Sequence, residues 1–310
     1  MNMKMKKLVL ILPLLLLIAC TQSGNKDMDP NTITIATTTG MINDIVLNIG
    51  KEKVSTQSLM GPGVDPHLYK ASARDVRTLS EADIIFYNGL HLEGKMTEVF
   101  ENMSKRGIKT VAVAESIDKK NLLQSPTYKG YYDPHVWFDA GLWSNAVESV
   151  TATLISNDPD NKDYYLQNST EYLSRLNNLG IFIHAKVNTL PVNKRVLITA
   201  HDAFGYFGKA YKFEVIGLQG VSTDSEASTA DLQKLSKLIV ERQIPAIFVE
   251  SSVSPKYIEA VKEAVNSKGF NVEVGGVLFS DALGNYGTPE GTYVGMFEYN
   301  VNTIVDSLNK

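Results

Sequence analysis

Two short stretches of the chain repeat one arrangement, Asp65-Pro66-His67 and Asp133-Pro134-His135. Proline fixes its own φ and biases the residue before it towards extended backbone. Each imidazole therefore stands on a stiff segment beside a carboxylate. Val136, Trp137 and Phe138 follow His135 and favour burial, which puts that imidazole at the edge of a core. A third histidine, His201, and two acids, Glu250 and Asp281, each come just after a short apolar, β-branched run. His67, His135, His201 and Asp281 together could hold a divalent first-row metal. Zinc takes His nitrogen and Asp oxygen in tetrahedral geometry, and manganese favours oxygen-richer sets. A ligating imidazole needs its second nitrogen fixed by an outer acceptor, a role open to Asp65, Asp133 and Glu250. Taken singly, each residue has a plainer reading. A histidine after a strand is commonly a hydrogen-bonded loop residue. Asp281 could cap the loop near Gly284, and Asp202 the helix that starts near Phe204. His91 and His184 lack the strand-end setting and read as a loop residue and a helix residue.

The elements that must position these side chains alternate. Residues 32–39, 53–60, 83–87 and 110–114 read as strands, separated by helical spacing at 41–49, 72–81 and 94–105 and closed by a helix at 142–155. Ser72 with Asp75 has the spacing of a capping box. Strands alternating with helices indicate βαβ units and a parallel sheet. The second half repeats the pattern, with strands at 195–200, 214–218, 246–249 and 272–279. Its helices fall at 204–211, from Ser228 to Arg242 with Ser228 and Asp231 at capping-box spacing, after Ser254-Pro255 with Ser254 as the expected cap and Pro255 in the first turn, and at 293–308. Ligands in open α/β sheets gather at the carboxyl ends of strands, so a cleft between two such lobes would bring the four residues together.

Between the halves, residues 159–189 carry Tyr165, Tyr172, Leu176, Leu179, Phe182 and Ile183 at helical spacing, after a promising cap at Asp158 and before Pro191. The spacing predicts one long, rigid helix. The fold class expected is α/β, with two lobes, each a mainly parallel four-stranded sheet flanked by helices and each with its own core, joined by that helix. The divisions are 32–158 for the first lobe, 159–190 for the connecting helix and 191–310 for the second lobe.

The net charge of −4, with lysines and arginines scattered, gives no nucleic-acid footprint. Residues 1–19 read as a signal peptide, with Lys4, Lys6 and Lys7 before a short apolar run. The run ends in Leu17-Ile18-Ala19-Cys20, which resembles a bacterial lipobox and implies lipidation of Cys20. Residues 20–31 then read as a tether. Cys20 is the only cysteine, so no disulfide is available and the fold rests on its packing.

Five segments in order carry a family resemblance: 63–67, Asn88-Gly89-Leu90-His91-Leu92-Glu93, 133–137, Ala200-His201-Asp202-Ala203-Phe204-Gly205-Tyr206-Phe207 and Val249-Glu250-Ser251-Ser252. They resemble the TroA/ZnuA-type zinc/manganese solute-binding lipoproteins of ABC importers. The His201 segment and Gly220-Val221-Ser222-Thr223 are most similar to the TroA-type branch. The resemblance implies one metal between two lobes, held by His67, His135, His201 and Asp281. It also implies a membrane permease as partner and an extracytoplasmic, lipid-anchored location. A monomer is expected. Manganese-preferring branches often carry Glu at the third ligand position, where this chain has His201. Zinc-uptake members often carry a long His-rich loop after the region of Leu122, and this chain has a short one without histidine. The ion stays open between zinc and manganese. Two other functions compete with metal capture, a zinc-dependent hydrolase and a surface adhesin. A hydrolase needs an open coordination position, which four protein donors do not leave, and no nucleophile–base pair is evident. No adhesive patch is marked in the sequence.

Overall fold

The computed structural model describes residues 32–126 and 129–310; the leader, Cys20 and tether readings lie outside them. The first half opens on β1 (Ile33–Thr37), whose Ile-Thr-Ile-Ala-Thr run is buried on both faces. Then come α1 (Gly40–Gly50), β2 (Val54–Ser58), α2 (Ala73–Glu81), β3 (Ile84–Tyr87), α3 (Thr97–Lys105) and β4 (Lys109–Ala112). The four strands form one parallel sheet in the order β2-β1-β3-β4. Helix α2 starts where Ser72 Oγ accepts from the Asp75 N–H at 3.3 Å and Asp75 Oδ2 accepts from the Ser72 N–H at 2.7 Å. Helix α4 (Ala140–Asn157) closes this half, capped by Asp139, which accepts from Gly141 and Leu142 N–H.

The connecting helix α5 (Lys162–Val187) has 26 residues, a length of ~39 Å. Its first turn differs from expectation. Residues Pro159–Asn161 form a separate 3-10 turn, and Asp158 does not cap the backbone. Its carboxylate instead accepts from the Tyr165 hydroxyl at 2.7 Å and the Asn161 amide at 2.8 Å.

The second half runs β5 (Val196–His201), α6 (Gly205–Tyr211), β6 (Glu214–Gln219), α7 (Thr229–Arg242), β7 (Ala246–Glu250), α8 (Lys256–Asn266), β8 (Glu273–Leu278) and α9 (Tyr293–Leu308). Its strands pair in parallel, but as two separate two-stranded ladders, β5 with β6 and β7 with β8. Where β5 and β7 end, the contact between them is made by a side chain: Glu250 Oε1 accepts from the His201 N–H at 2.8 Å. The second capping box, Ser228 with Asp231, forms as spaced. Ser254 does not cap α8; the residue before that helix is Pro255, and no side-chain cap bond is made.

The expectation of a separate core in each lobe is corrected. The largest buried apolar cluster is continuous through both halves. It takes Ile35, Ile42 and Trp143 from the first half, Tyr165, Tyr172, Leu176 and Ile183 from α5, and Phe204, Phe248, Tyr293 and Phe297 from the second. The cause is α4, α5 and α9, which present apolar faces to one another instead of to one sheet each. Burying each such side chain is worth ~1.5–3 kcal/mol, so this shared cluster stabilises the joint as well as the halves. Smaller clusters, around Ile198 and Val261 and around Ile85 and Phe100, belong to one half alone. Among the described residues no helix is long and apolar enough to cross a membrane.

Candidate metal centre

The four candidate residues meet at one point, although His67 and His135 lie on loops well past the strands β2 and β4 that precede them. One ligand atom from each of His67, His135, His201 and Asp281 lies within 4.8 Å of all the others, and all four residues are buried. His67 Nε2 stands 3.3 Å from His135 Nε2. Asp281 Oδ2 is 3.3 Å from His201 Nε2 and 3.9 Å from His67 Nε2, and Asp281 Oδ1 is 3.4 Å from His135 Nε2. Donors placed ~2.0–2.2 Å from a tetrahedral zinc stand ~3.3–3.6 Å from one another. Three of these four separations match that spacing, and the His67–Asp281 one is slightly wider. His201 Nε2 and both carboxylate oxygens of Asp281 have no hydrogen-bond partner in the protein. Leaving buried polar atoms unpaired costs ~1–3 kcal/mol each, more when charged, and a cation at the centre satisfies all of them. The donor chemistry fits a divalent metal.

Each imidazole stands on a segment held in place. His201 is the last residue of β5, and Glu250 is the last of β7. The Glu250 carboxylate grips His201 twice, through the backbone N–H at 2.8 Å and through ring Nδ1 at 2.6 Å. Asp133 does the same for His135, at 2.9 Å to the N–H and 2.7 Å to Nδ1. With Nδ1 bound to a carboxylate, each ring turns Nε2 to the centre. Asp65 behaves differently. Its Oδ1 accepts from the backbone N–H of His67 at 2.9 Å, and its Oδ2 accepts from Thr223 Oγ1 at 2.6 Å. It orients the loop and not the His67 ring.

Charge and burial act against each other here. Burial pushes His67 down to about 3, so its ring is neutral at ordinary pH. Burial also opposes charge on His135, but the Asp133 and Asp281 carboxylates outweigh it and hold the ring up at about 9. His201 is likewise raised well above the usual range: burial opposes its charge, and Glu250 and Asp281 win. Burial opposes charge on Asp281 too, but His201 and His135 hold it well below the carboxylate range. Asp202 sits beside the cluster, with its carboxyl pushed up to about 6 by burial and by Asp133. Metal binding must therefore displace protons from His135 and His201.

His91 and His184 stay apart. His184 lies on α5 with its ring 5.0 Å from that of Tyr211. His91 ends a run of three left-handed residues, Gly89, Leu90 and His91, at φ of 81°, 51° and 69°. Such backbone costs roughly 1–2 kcal/mol per non-glycine residue. It is held by buried Glu93, which accepts from the N–H groups of Asn88 and Gly89 and from the Thr38 hydroxyl. Several supporting residues were not found from sequence. Tyr206, Tyr293 and Asn88 bond backbone carbonyls of the His135 segment. Thr223 bonds Asp65 across the cleft between the halves. Tyr293 and Trp137 are 156 positions apart in sequence, and no local spacing signals such a pair.

A buried cluster of three imidazoles and one carboxylate, set between two α/β halves, is a donor set suited to a divalent cation. The family model described as zinc-uptake complex component A, periplasmic, matches residues 35–307, and the chain belongs to that family. It is 50% identical over 275 residues to the zinc-binding protein TroA of Treponema pallidum, covering 88% of each chain. It is 47% identical over 288 residues to the manganese-binding lipoprotein MntA of Bacillus subtilis, covering 93% of each. The solved structure of the periplasmic zinc-binding protein TroA from Treponema pallidum superposes with a TM-score of 0.86 at 50% identity, covering 89% of this chain and 99% of that one.

Proposed function

We propose that the chain captures one divalent transition metal, zinc or manganese, between its two halves and delivers it to the membrane permease of an ABC importer. The observation that carries this is the convergence of four buried donor atoms on one point, where both Asp281 oxygens face the imidazoles and neither accepts a hydrogen bond. In this reading His67, His135, His201 and Asp281 are the ligands. Asp133 and Glu250 orient two of the rings, and Asp65 orients the loop of the third. Three nitrogens and one carboxylate favour zinc. Manganese also has a specific support: both oxygens of Asp281 face the centre, so coordination can rise beyond four.

The remaining parts of the reading follow from residue pattern and family. Residues 1–19 are a signal peptide, Cys20 carries the lipid, and residues 20–31 tether residues 32–158 and 191–310, joined through 159–190, to the outer side of a bacterial membrane as a monomer. A hydrolytic role needs an open coordination position for water, and four convergent protein donors argue against one. Titration of the metal-free protein with zinc and with manganese, in competition with a chelator of known affinity, tests the reading. One ion per chain is expected, and none for His201→Ala. Full binding by that variant would remove the site.

A further inference from the structure

Chain order assigns His67 and His135 to the first half, and His201 and Asp281 to the second. The hydrogen bonds divide the four differently. His135 lies on residues 133–137, and the carbonyls of Asp133 and Trp137 are both held from the second half. Tyr206 Oη, on α6, donates to the Asp133 carbonyl at 2.9 Å, and Tyr293 Oη, on α9, donates to the Trp137 carbonyl at 2.7 Å. In return Trp137 Nε1 donates at 3.0 Å to the carbonyl of Ser280, the residue before Asp281. The Phe138 ring stacks on Phe204 with centroids 4.2 Å apart. Asn300, also on α9, fixes the approach to Asp281 by bonding both the N–H and the carbonyl of Phe279, at 3.0 and 2.8 Å. Two bonds come from the first half, from Asn88 to the Pro134 carbonyl at 3.0 Å and from the Asp133 N–H to the Leu123 carbonyl at 2.9 Å. The His135 segment is thus bolted to the side of the cleft that carries His201 and Asp281.

The His67 segment is anchored elsewhere. Just before it, the N–H groups of Leu59 and Met60 bond the carbonyls of Thr37 and Thr38 at the end of β1. Just after His67, the Tyr69 hydroxyl bonds Asp75 at the start of α2, at 2.8 Å. Among the described residues, the one hydrogen bond from residues 61–69 to the second half is that from Thr223 Oγ1 to Asp65. A cavity of about 170 Å³, lined by His91, Tyr131, Ser222 and Asp224, opens onto His67, the one member of the cluster in its wall.

We propose that His135, His201 and Asp281 form a standing three-donor half-site, with Trp137, Tyr206 and Tyr293 as positioning residues, and that His67 is the exchangeable fourth donor through which the cation enters and leaves. The inference rests on the metal-capture reading above. Release then begins when the Thr223–Asp65 bond breaks and the loop of residues 61–69 carries His67 away from the other three donors. Water from the cavity takes its place, leaving three protein donors as in an open zinc site.

The test compares the full chain with His67→Ala, His135→Ala, Trp137→Phe and Thr223→Val. It measures zinc affinity by competition, zinc release into excess chelator, the number of bound imidazoles by X-ray absorption, and folding by circular dichroism. His67→Ala should still hold one zinc, now with two imidazoles. It should lose at least about tenfold less affinity than His135→Ala, a gap of ~1.4 kcal/mol. Trp137→Phe should keep three imidazoles yet release zinc roughly tenfold faster, the scale of an outer-partner loss. Thr223→Val should also speed release without changing the ligand count. The proposal is overturned if His67→Ala loses zinc as completely as His135→Ala, or if Trp137→Phe releases it at the unaltered rate. Should His135→Ala fail to fold, His201→Ala takes its place in the comparison. Failure of the unaltered chain to bind zinc or manganese would overturn the capture reading itself, and is told apart because it needs no variant.

Discussion

Glu250 and Asp133 each hold an imidazole at two points, the ring Nδ1 and the backbone N–H. Glu250→Gln keeps the shape but removes the charge and one acceptor oxygen. We expect about 10–100-fold weaker metal affinity from it, read by chelator competition, with the fold intact by circular dichroism. Protons should act at the same atoms. His135 is held at about 9 in the metal-free fold, against ~6.5 for a free imidazole. Its raised value stabilises the metal-free fold fully below ~6.5, and that gain is lost as pH climbs through 9. Metal needs the neutral ring, so the metal-induced rise in Tm should shrink as pH falls from about 9. Melting with and without zinc at roughly pH 8 and pH 6 checks this, and equal shifts at both would contradict His135 as a ligand. At this scale the sequence was readable where an Asp-Pro-His loop or a strand end carries the side chain. His67, His135, His201 and Asp281 meet as placed, and Asp133 and Glu250 stand behind their rings. Asp65 was read for the wrong part of His67, because ring and backbone partners of an Asp-Pro-His loop differ only in side-chain rotation.

Helix α5 offers a cleaner test of an element. Gly180 sits in its interior, and a Cβ built there meets nothing within 4 Å. Gly180→Ala should therefore stabilise the protein by ~0.5–1 kcal/mol through helix propensity, with metal affinity unchanged. Chemical denaturation and a metal titration would show it, and a destabilised variant would mean that the helix face is closed in solution. The capping boxes at Ser72 and Ser228 were visible as spacing and are present as bonds. Asp158 and Ser254 were equally good caps by residue type and do not cap. A cap depends on the backbone angles of the turn before it, and at Asp158 the hydroxyl of Tyr165 competes for the carboxylate. The strained turn at Gly89–His91 was not legible either, since only the buried Glu93 that accepts its N–H groups reveals it.

For the whole molecule, the continuous core through α4, α5 and α9 sets two expectations. The metal-free chain should unfold in one cooperative transition, because no half can lose its packing without opening the other's. Calorimetry showing two separate peaks would contradict this. Metal binds only the folded form, so a hundredfold excess over Kd should add ~2.7 kcal/mol to that single transition. The same core leaves no soft hinge, so solution scattering should change little on metal addition. A large contraction would mean that the packing around α5 yields. The number and order of elements were readable from apolar periodicity. The shared core was not, because periodicity tells which face of a helix is buried and not against what.

Helix α9 supplies Tyr293, Phe297, Val301 and Ile304 to that core, and its Tyr293 hydroxyl bonds the Trp137 carbonyl 156 positions earlier. That core therefore closes only when segments far apart in the sequence meet, and contacts of such long separation make folding slow.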